Sequence, residues 1–201
     1  MWKPTILFTA LSTFIASPSQ AATVFVNFDS VTTGASINEH YNGGTDSSGV
    51  MGSNLHLSFL NFLTTTGFGE TSGPNLAYNI EAVAIINFAP GFGRVQATYG
   101  AFTAGRFDAY TAVNGAGSLL GSYVLTTNNP FAFERFVFQF SGTARSLVLN
   151  AGATQIGIDD LLLTQAVPSG VPEPIQWSFL ITGMFCVGSS VRHRRAKLVL
   201  A

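Results

Sequence analysis

From Thr23 to Thr164 the chain never sustains the 3.6-residue spacing of an amphipathic helix. It breaks instead into short runs of β-branched and aromatic residues separated by clusters of Gly, Asn, Ser and Pro. That punctuation confines it to antiparallel β architecture. Runs near 24–28, 56–63, 82–88, 95–99, 106–113, 119–125, 135–140, 146–150 and 156–163 predict nine strands. Turn signals lie between them, including Asn42-Gly43-Gly44, Ser72-Gly73-Pro74-Asn75, Asn114-Gly115-Ala116-Gly117, Asn128-Asn129-Pro130 and Ser141-Gly142. Period-two alternation puts Phe136, Phe138 and Phe140 on one side of a strand and Arg135, Val137 and Gln139 on the other. Arg106, Asp108 and Tyr110 likewise oppose Phe107 and Ala109. The expected fold class is all-β, an antiparallel two-sheet sandwich of the jelly-roll kind. Residues 42–53, rich in Gly, Ser, Asn and Asp, read as a long surface loop.

Charge is scarce. Only 9% of the 201 residues are charged while 47% are hydrophobic, and an ordinary soluble protein carries about 25% charged residues. Between Ala22 and Pro172 there are four basic residues (Arg94, Arg106, Arg135, Arg145) against nine acidic ones, a formal charge of −5. With no lysine and no basic cluster, this body lacks the phosphate-neutralising footprint of a nucleic-acid binder. The single cysteine, Cys186, lies near the C-terminus, so the body holds no disulfide and must be stabilised by its core.

The two ends read as targeting segments. Lys3, the apolar stretch Ile6 to Ala16 and Ser17-Pro18-Ser19-Gln20-Ala21 have the order of a signal peptide cleaved by signal peptidase after Ala21. An 11-residue apolar run is too short to span a bilayer. The expected organisation is therefore a signal peptide at 1–21, a β-sandwich domain at 22–165, a linker at 166–171 and a tail at 172–197.

In the tail, Pro172-Glu173-Pro174 precedes an apolar run from Ile175 to Val191 and a basic stop at 192–197. Proline disfavours helix before it and keeps the triplet extended. The 17 apolar residues give about 25 Å of helix, enough for a single transmembrane helix with Trp177 at the outer interface. Arg192, Arg194 and Arg195 hold the other end in the cytoplasm and leave the β domain outside.

This tail resembles the PEP-CTERM sorting signal of Gram-negative bacteria. Pro172, Glu173 and Pro174 match its triplet, Trp177 its aromatic position, Gly183 and Gly188 its small positions, and Arg192, Arg194 and Arg195 its stop. His193 interrupts the arginine run, and six residues follow where the family usually ends. The resemblance implies recognition by exosortase, a transient inner-membrane anchor and delivery to the cell surface or an extracellular polysaccharide matrix. More weakly, Asn27-Phe28-Asp29 and Gly157-Ile158-Asp159-Asp160-Leu161 resemble the β domains found ahead of such tails, which are similar to carbohydrate-binding jelly rolls.

Candidate chemistry in the body is sparse. Asp29, Asp159 and Asp160 belong to the first and last strands of a jelly roll, which lie close together, and pooled carboxylates suit calcium. An alternative is that one carboxylate caps a turn and another faces solvent. His40, before a Gly-rich loop, and His56, among leucines, have no evident partners. No Gly-x-Ser-x-Gly elbow, His-Glu-x-x-His or phosphate loop occurs, so the expectation is a non-enzymatic protein. The alternative to a purely structural surface protein is a glycan-binding module of an exopolysaccharide layer. Its rings would come from Tyr41, Phe68, Tyr78, Phe92, Phe102 and Phe131, although most of the 18 phenylalanines are needed to fill the core.

Overall fold

The computed structural model describes residues 21–166, and the expectations for 1–20 and 167–201 lie outside the described residues. These are the signal peptide up to Gln20, most of the linker, the Pro-Glu-Pro triplet, the expected transmembrane helix and the basic stop. Within the described residues the chain is all-β, with no α-helix and a single 3-10 turn at Val113–Gly115. The strands are β1 (Thr23–Val26), β2 (Leu57–Leu60), β3 (Phe62–Thr65), β4 (Leu76–Asn79), β5 (Val83–Ala101), β6 (Gly105–Tyr110), β7 (Leu119–Leu125), β8 (Glu134–Asn150) and β9 (Ile156–Thr164). All of their pairings are antiparallel.

Nine strands were expected and nine form, but the chain divides them differently. The runs 82–88 and 95–99 are one 19-residue strand, β5, and the runs 135–140 and 146–150 are one 17-residue strand, β8. Gly91 (φ +87°) and Gly142 (φ +98°) mark bends within these strands, and the β5–β8 register shifts around Phe92 and Ala144. The run 56–63 is two strands, parted at Asn61 (φ +62°). Strand β4, whose flanking Asn75 and Asn79 read as turn residues, was not foreseen.

Because β5 and β8 bend together, one hydrogen-bonded network forms two layers. In the first layer β5 (83–88) lies between β2 and β8 (146–150), with β6 and β7 beyond. In the second, β5 (92–101) lies between β8 (134–139) and β9, and β9 carries β1 and β4 on its other edge, with β3 outermost. The bend also exchanges which residues face inward. Ala84, Ile86 and Phe88 are buried before it, and Val95, Ala97, Tyr99 and Ala101 after it.

Aromatic rings join the layers. Phe136 of the second layer stacks on Phe107 of the first at 5.5 Å, and Phe59 meets Phe62 edge-on at 5.9 Å. The expected alternation in 135–140 holds: Phe136 and Phe138 are buried while Val137 is 42% exposed. Asp108 departs from its expected solvent side. It is buried, accepting from Arg106 Nε, Ser122 Oγ and Asn150 Nδ2, so its charge is matched where it would otherwise be costly.

The segment 42–53 is not merely a surface loop. It belongs to a longer connection between β1 and β2 that plugs the end of the sandwich with Val31, Ala35, Ile37, His40 and Tyr41, all buried. Asp46 pins it by accepting the amides of Thr32, Ser48 and Val50, each at 2.9 Å. Burial by itself would raise the Asp46 pKa, but these amides outweigh it and hold the carboxyl below its ordinary value.

Candidate functional site: an aromatic cleft beside a carboxylate-clamped loop

Three of the aromatic residues expected as platforms meet at one end of the second layer. Phe68 follows β3, Phe102 follows β5 and Phe131 precedes β8, and they are 40%, 49% and 62% exposed. Phe68 stacks on Phe131 with centroids 5.7 Å apart and planes 12° from parallel, and Phe102 meets Phe68 edge-on at 6.5 Å. Three large exposed rings gathered around Phe68 do not lower a monomer's free energy as buried rings would. Phe68 and Phe102 border a cleft of about 260 Å³ whose other walls include Leu76, Tyr78, Pro130, Phe133 and Ile156, and Phe131 backs the Phe68 ring.

Local backbone chemistry fixes these rings. Asn129 Oδ1 accepts the Phe131 amide at 3.0 Å, an Asx turn, and Glu70 Oε1 accepts the Phe68 amide at 3.0 Å. Asn128 ties the same loop to the sheet by accepting from the Ala101 amide and donating to the Tyr99 carbonyl. The Phe102 amide donates to Gln155 O at 2.9 Å. The cleft floor, Phe133, was not anticipated. Its ring lies across three glycines: a Cβ on Gly69, Gly100 or Gly157 would stand 2.7, 2.4 or 3.0 Å from its ring atoms. Thr65, Tyr78, Thr154 and Gln155 put hydroxyl and amide groups on the rim. Such a cleft, apolar at its base and hydrogen-bonding at its edge, suits a flat amphipathic ring.

Two of the other expected platforms belong to the core. Tyr41 and Phe92 are only 4% and 1% exposed. Tyr41 packs on Phe28 and Phe59, and burial pushes its phenol up to about 12, with the Ser30 hydroxyl opposing that rise. His40 is buried beside it with Nδ1 on Val50 O and Nε2 on Ser30 Oγ, both at 3.1 Å. It is a buried residue of the β1–β2 connection. His56, the first residue of the expected run 56–63, is exposed with φ +61° immediately before β2 and lies outside the strand.

The three aspartates do gather around one segment, but as a clamp. Asp159 Oδ2 accepts the amides of Thr71 and Ser72 at 2.9 and 3.1 Å, and Oδ1 accepts the amide of Asp160 at 2.7 Å. Asp160, at φ +51°, takes the hydroxyls of Thr71 and Ser72. Asp29 accepts the Asn75 amide at 3.1 Å and Asn27 Nδ2 at 2.6 Å, and its carboxyl fills the space where a Cβ on Gly73 would sit. Hydrogen-bond donors thus surround the carboxylates expected to hold calcium. Among the described residues no group of three or more His, Cys, Asp or Glu side chains is placed to hold a metal. Burial raises the Asp159 pKa, the amides of Ser72, Thr71 and Asp160 only partly offset that, and the Asp160 charge adds to it. The clamp holds the loop that follows Phe68 and so sets one wall of the cleft.

No family model matches the chain, and no curated protein matches it in sequence. Among solved structures it is similar to the K2 cleaved adhesin domain of Lys-gingipain (Kgp), with a TM-score of 0.51 at 9% identity over 72% of this chain and 100% of that one. Lower-scoring matches include CsCBM6-3 from Clostridium stercorarium, solved in complex with cellobiose (TM-score 0.40, 14% identity, 54% of this chain and 87% of that one). A mutant of the family 29 carbohydrate-binding module CBM29-2 matches with TM-score 0.44 at 9% identity over 77% of this chain and 100% of that one. At these identities the likeness to the adhesin domain is one of fold: the chain is an all-β sandwich.

Proposed function

We propose that this chain is an exported, non-enzymatic β-sandwich protein of jelly-roll type that holds polysaccharide in its aromatic cleft. The observation that carries the reading is the stacked, solvent-exposed pair Phe68 and Phe131 with Phe102 against its edge. Neutral sugars present C–H faces that desolvate well on such rings and hydroxyls that suit the Thr, Tyr and Gln rim. The Pro172-Glu173-Pro174 triplet, the apolar run and the arginine stop support delivery through signal peptidase and exosortase, from an inner-membrane anchor to the cell surface or extracellular matrix.

Affinity electrophoresis of the full chain through gels containing neutral glucans and xylans tests the cleft. Retardation is expected, and Phe131→Ala or Phe68→Ala should each weaken it about tenfold, since an aromatic contact contributes about 1 kcal/mol beyond the area it covers. Equal retardation of both variants and wild type, or none by any polymer, overturns the reading.

Delivery has its own test. Replacing Pro172-Glu173-Pro174 by three alanines is expected to leave an unprocessed species in the inner membrane of an exosortase-positive host. Indistinguishable processing of the altered and natural chains defeats the sorting proposal while leaving the cleft untouched.

A further inference from the structure

The outward side of the second layer carries a row of residues crossing four strands. Phe25 of β1 is opposite Leu162 of β9, Leu162 is opposite Gln96 of β5, and Gln96 is opposite Val137 of β8. Directly opposed residues share one side of a sheet, so the four side chains lie in line. Phe25 and Val137 are 53% and 42% exposed, an apolar strip in water. On either side of Gln96 stand Arg94 and Arg135, and both donate from Nη2 to its single Oε1. Among the described residues neither guanidinium has another hydrogen-bond or ion-pair partner, whereas Arg106 is paired with Asp108. A shallow cleft of about 300 Å³ lined by Phe25, Gln96, Thr98, Arg135, Asp160 and Leu162 runs along this side.

Two like charges on one neutral acceptor leave most of their N–H donors without a partner among the described residues. A carboxylate would relieve their repulsion and fit the guanidinium fork, which a point cation could not match in geometry. Asp160 does not serve, because its oxygens already accept the Thr71 and Ser72 hydroxyls. Phe25 lies two strands from Gln96, roughly 10 Å at the usual strand spacing, so an apolar floor and a paired cation are separated by about the reach of one carboxylated sugar and its neighbour. We infer that this outward side is a second polysaccharide site, selective for uronic acid units, whose ring rests on Phe25 and Leu162 while its carboxylate takes Arg135 and Arg94. The site shares with the proposed function only the premise that the domain meets polysaccharide. Its residues and its ligand are distinct from those of the aromatic cleft.

The body's formal charge of −5 makes the inference demanding, because a polyanion is repelled overall and is retained only by a locally built pair. The experiment is affinity electrophoresis of the full chain against polygalacturonate and against the same polymer fully methyl-esterified, which keeps the ring and removes the charge. Retardation by the acid form, little by the ester, and loss of about tenfold or more in the Arg94→Gln/Arg135→Gln double variant are expected, the retardation weakening as salt screens the pair. Phe68→Ala/Phe131→Ala should retain polygalacturonate binding while losing neutral glucan, so failure of either site is seen separately. Should the double variant unfold, Arg135→Gln alone reports, since that side chain is exposed. Equal binding of acid and ester, or polygalacturonate binding unchanged in the arginine variants, overturns the inference. So does an equally strong, arginine-dependent hold on a sulfated glucan, which would reassign the site to sulfate.

Discussion

Phe136→Ala is expected to lower the unfolding free energy by about 3–5 kcal/mol, the range for removing a buried phenylalanine. Its ring is 2% exposed, stacks on Phe107 at 5.5 Å and lies 5.2 Å from Tyr123 and 5.8 Å from Tyr99. Phe107 and Tyr123 come from the first layer and Tyr99 from the second, so the ring is a junction between them. No disulfide braces the body, since the only cysteine is Cys186. A loss of that size is a large part of the 5–15 kcal/mol that holds a typical domain folded. The transition temperature should fall by roughly 10 °C or more. Phe131→Ala removes an equally large ring that is 62% exposed, and it should change stability by no more than about 0.5 kcal/mol. Urea titrations that keep the same slope for all three proteins make the comparison direct. A loss below about 1.5 kcal/mol for Phe136→Ala would mean that the layers are not joined at this ring.

The contrast between Phe136 and Phe131 also shows what the sequence can disclose. Phe136, Phe138 and Phe140 alternate with Arg135, Val137 and Gln139, and alternation is local, so their side of the strand is legible without a fold. Phe68, Phe102 and Phe131 each stand among turn residues, and their exposure follows from that local context. Tyr41 and Phe92 stand among turn residues too, yet both are buried. The connection at 27–56 folds inward, and Phe92 lies where β5 passes from one layer to the other. Those are long-range facts. Gly91 and Gly142 carry the same left-handed backbone that ends a strand elsewhere, so bends within β5 and β8 looked like turns between shorter strands. Phe133 was hidden for a further reason. Its seat exists only because Gly69, Gly100 and Gly157 converge from three separated segments, and no one of them marks it alone.

Asp29, Asp159 and Asp160 were legible as a group gathered around one segment, and the titrations of Asp159 and Asp46 tell two uses of a buried carboxylate apart. Asp159→Asn is expected to cost about 1–3 kcal/mol, because the new amide can keep the Thr71 and Ser72 donors only by turning its own NH2 toward the Asp160 amide, now accepted at 2.7 Å. That cost should depend on pH. Burial raises the folded-state pKa of Asp159 above the usual value near 3.9, so between the two values the folded form binds more protons than the unfolded form. Stability from this group is therefore fully present at low pH and is lost as pH rises through the folded pKa. The gap between the natural protein and Asp159→Asn should be widest at the acid end, below about pH 4, and narrow as pH rises through the folded pKa. Asp46, held below its ordinary pKa by three amides, has the opposite sign. Its contribution is full above about pH 4 and is lost as pH falls through the folded pKa, so Asp46→Asn should cost least in strong acid. Urea unfolding of the three proteins from pH 3 to pH 7 would show the two gaps moving in opposite directions. Parallel curves would mean that neither burial at Asp159 nor the three amides at Asp46 govern these carboxyls.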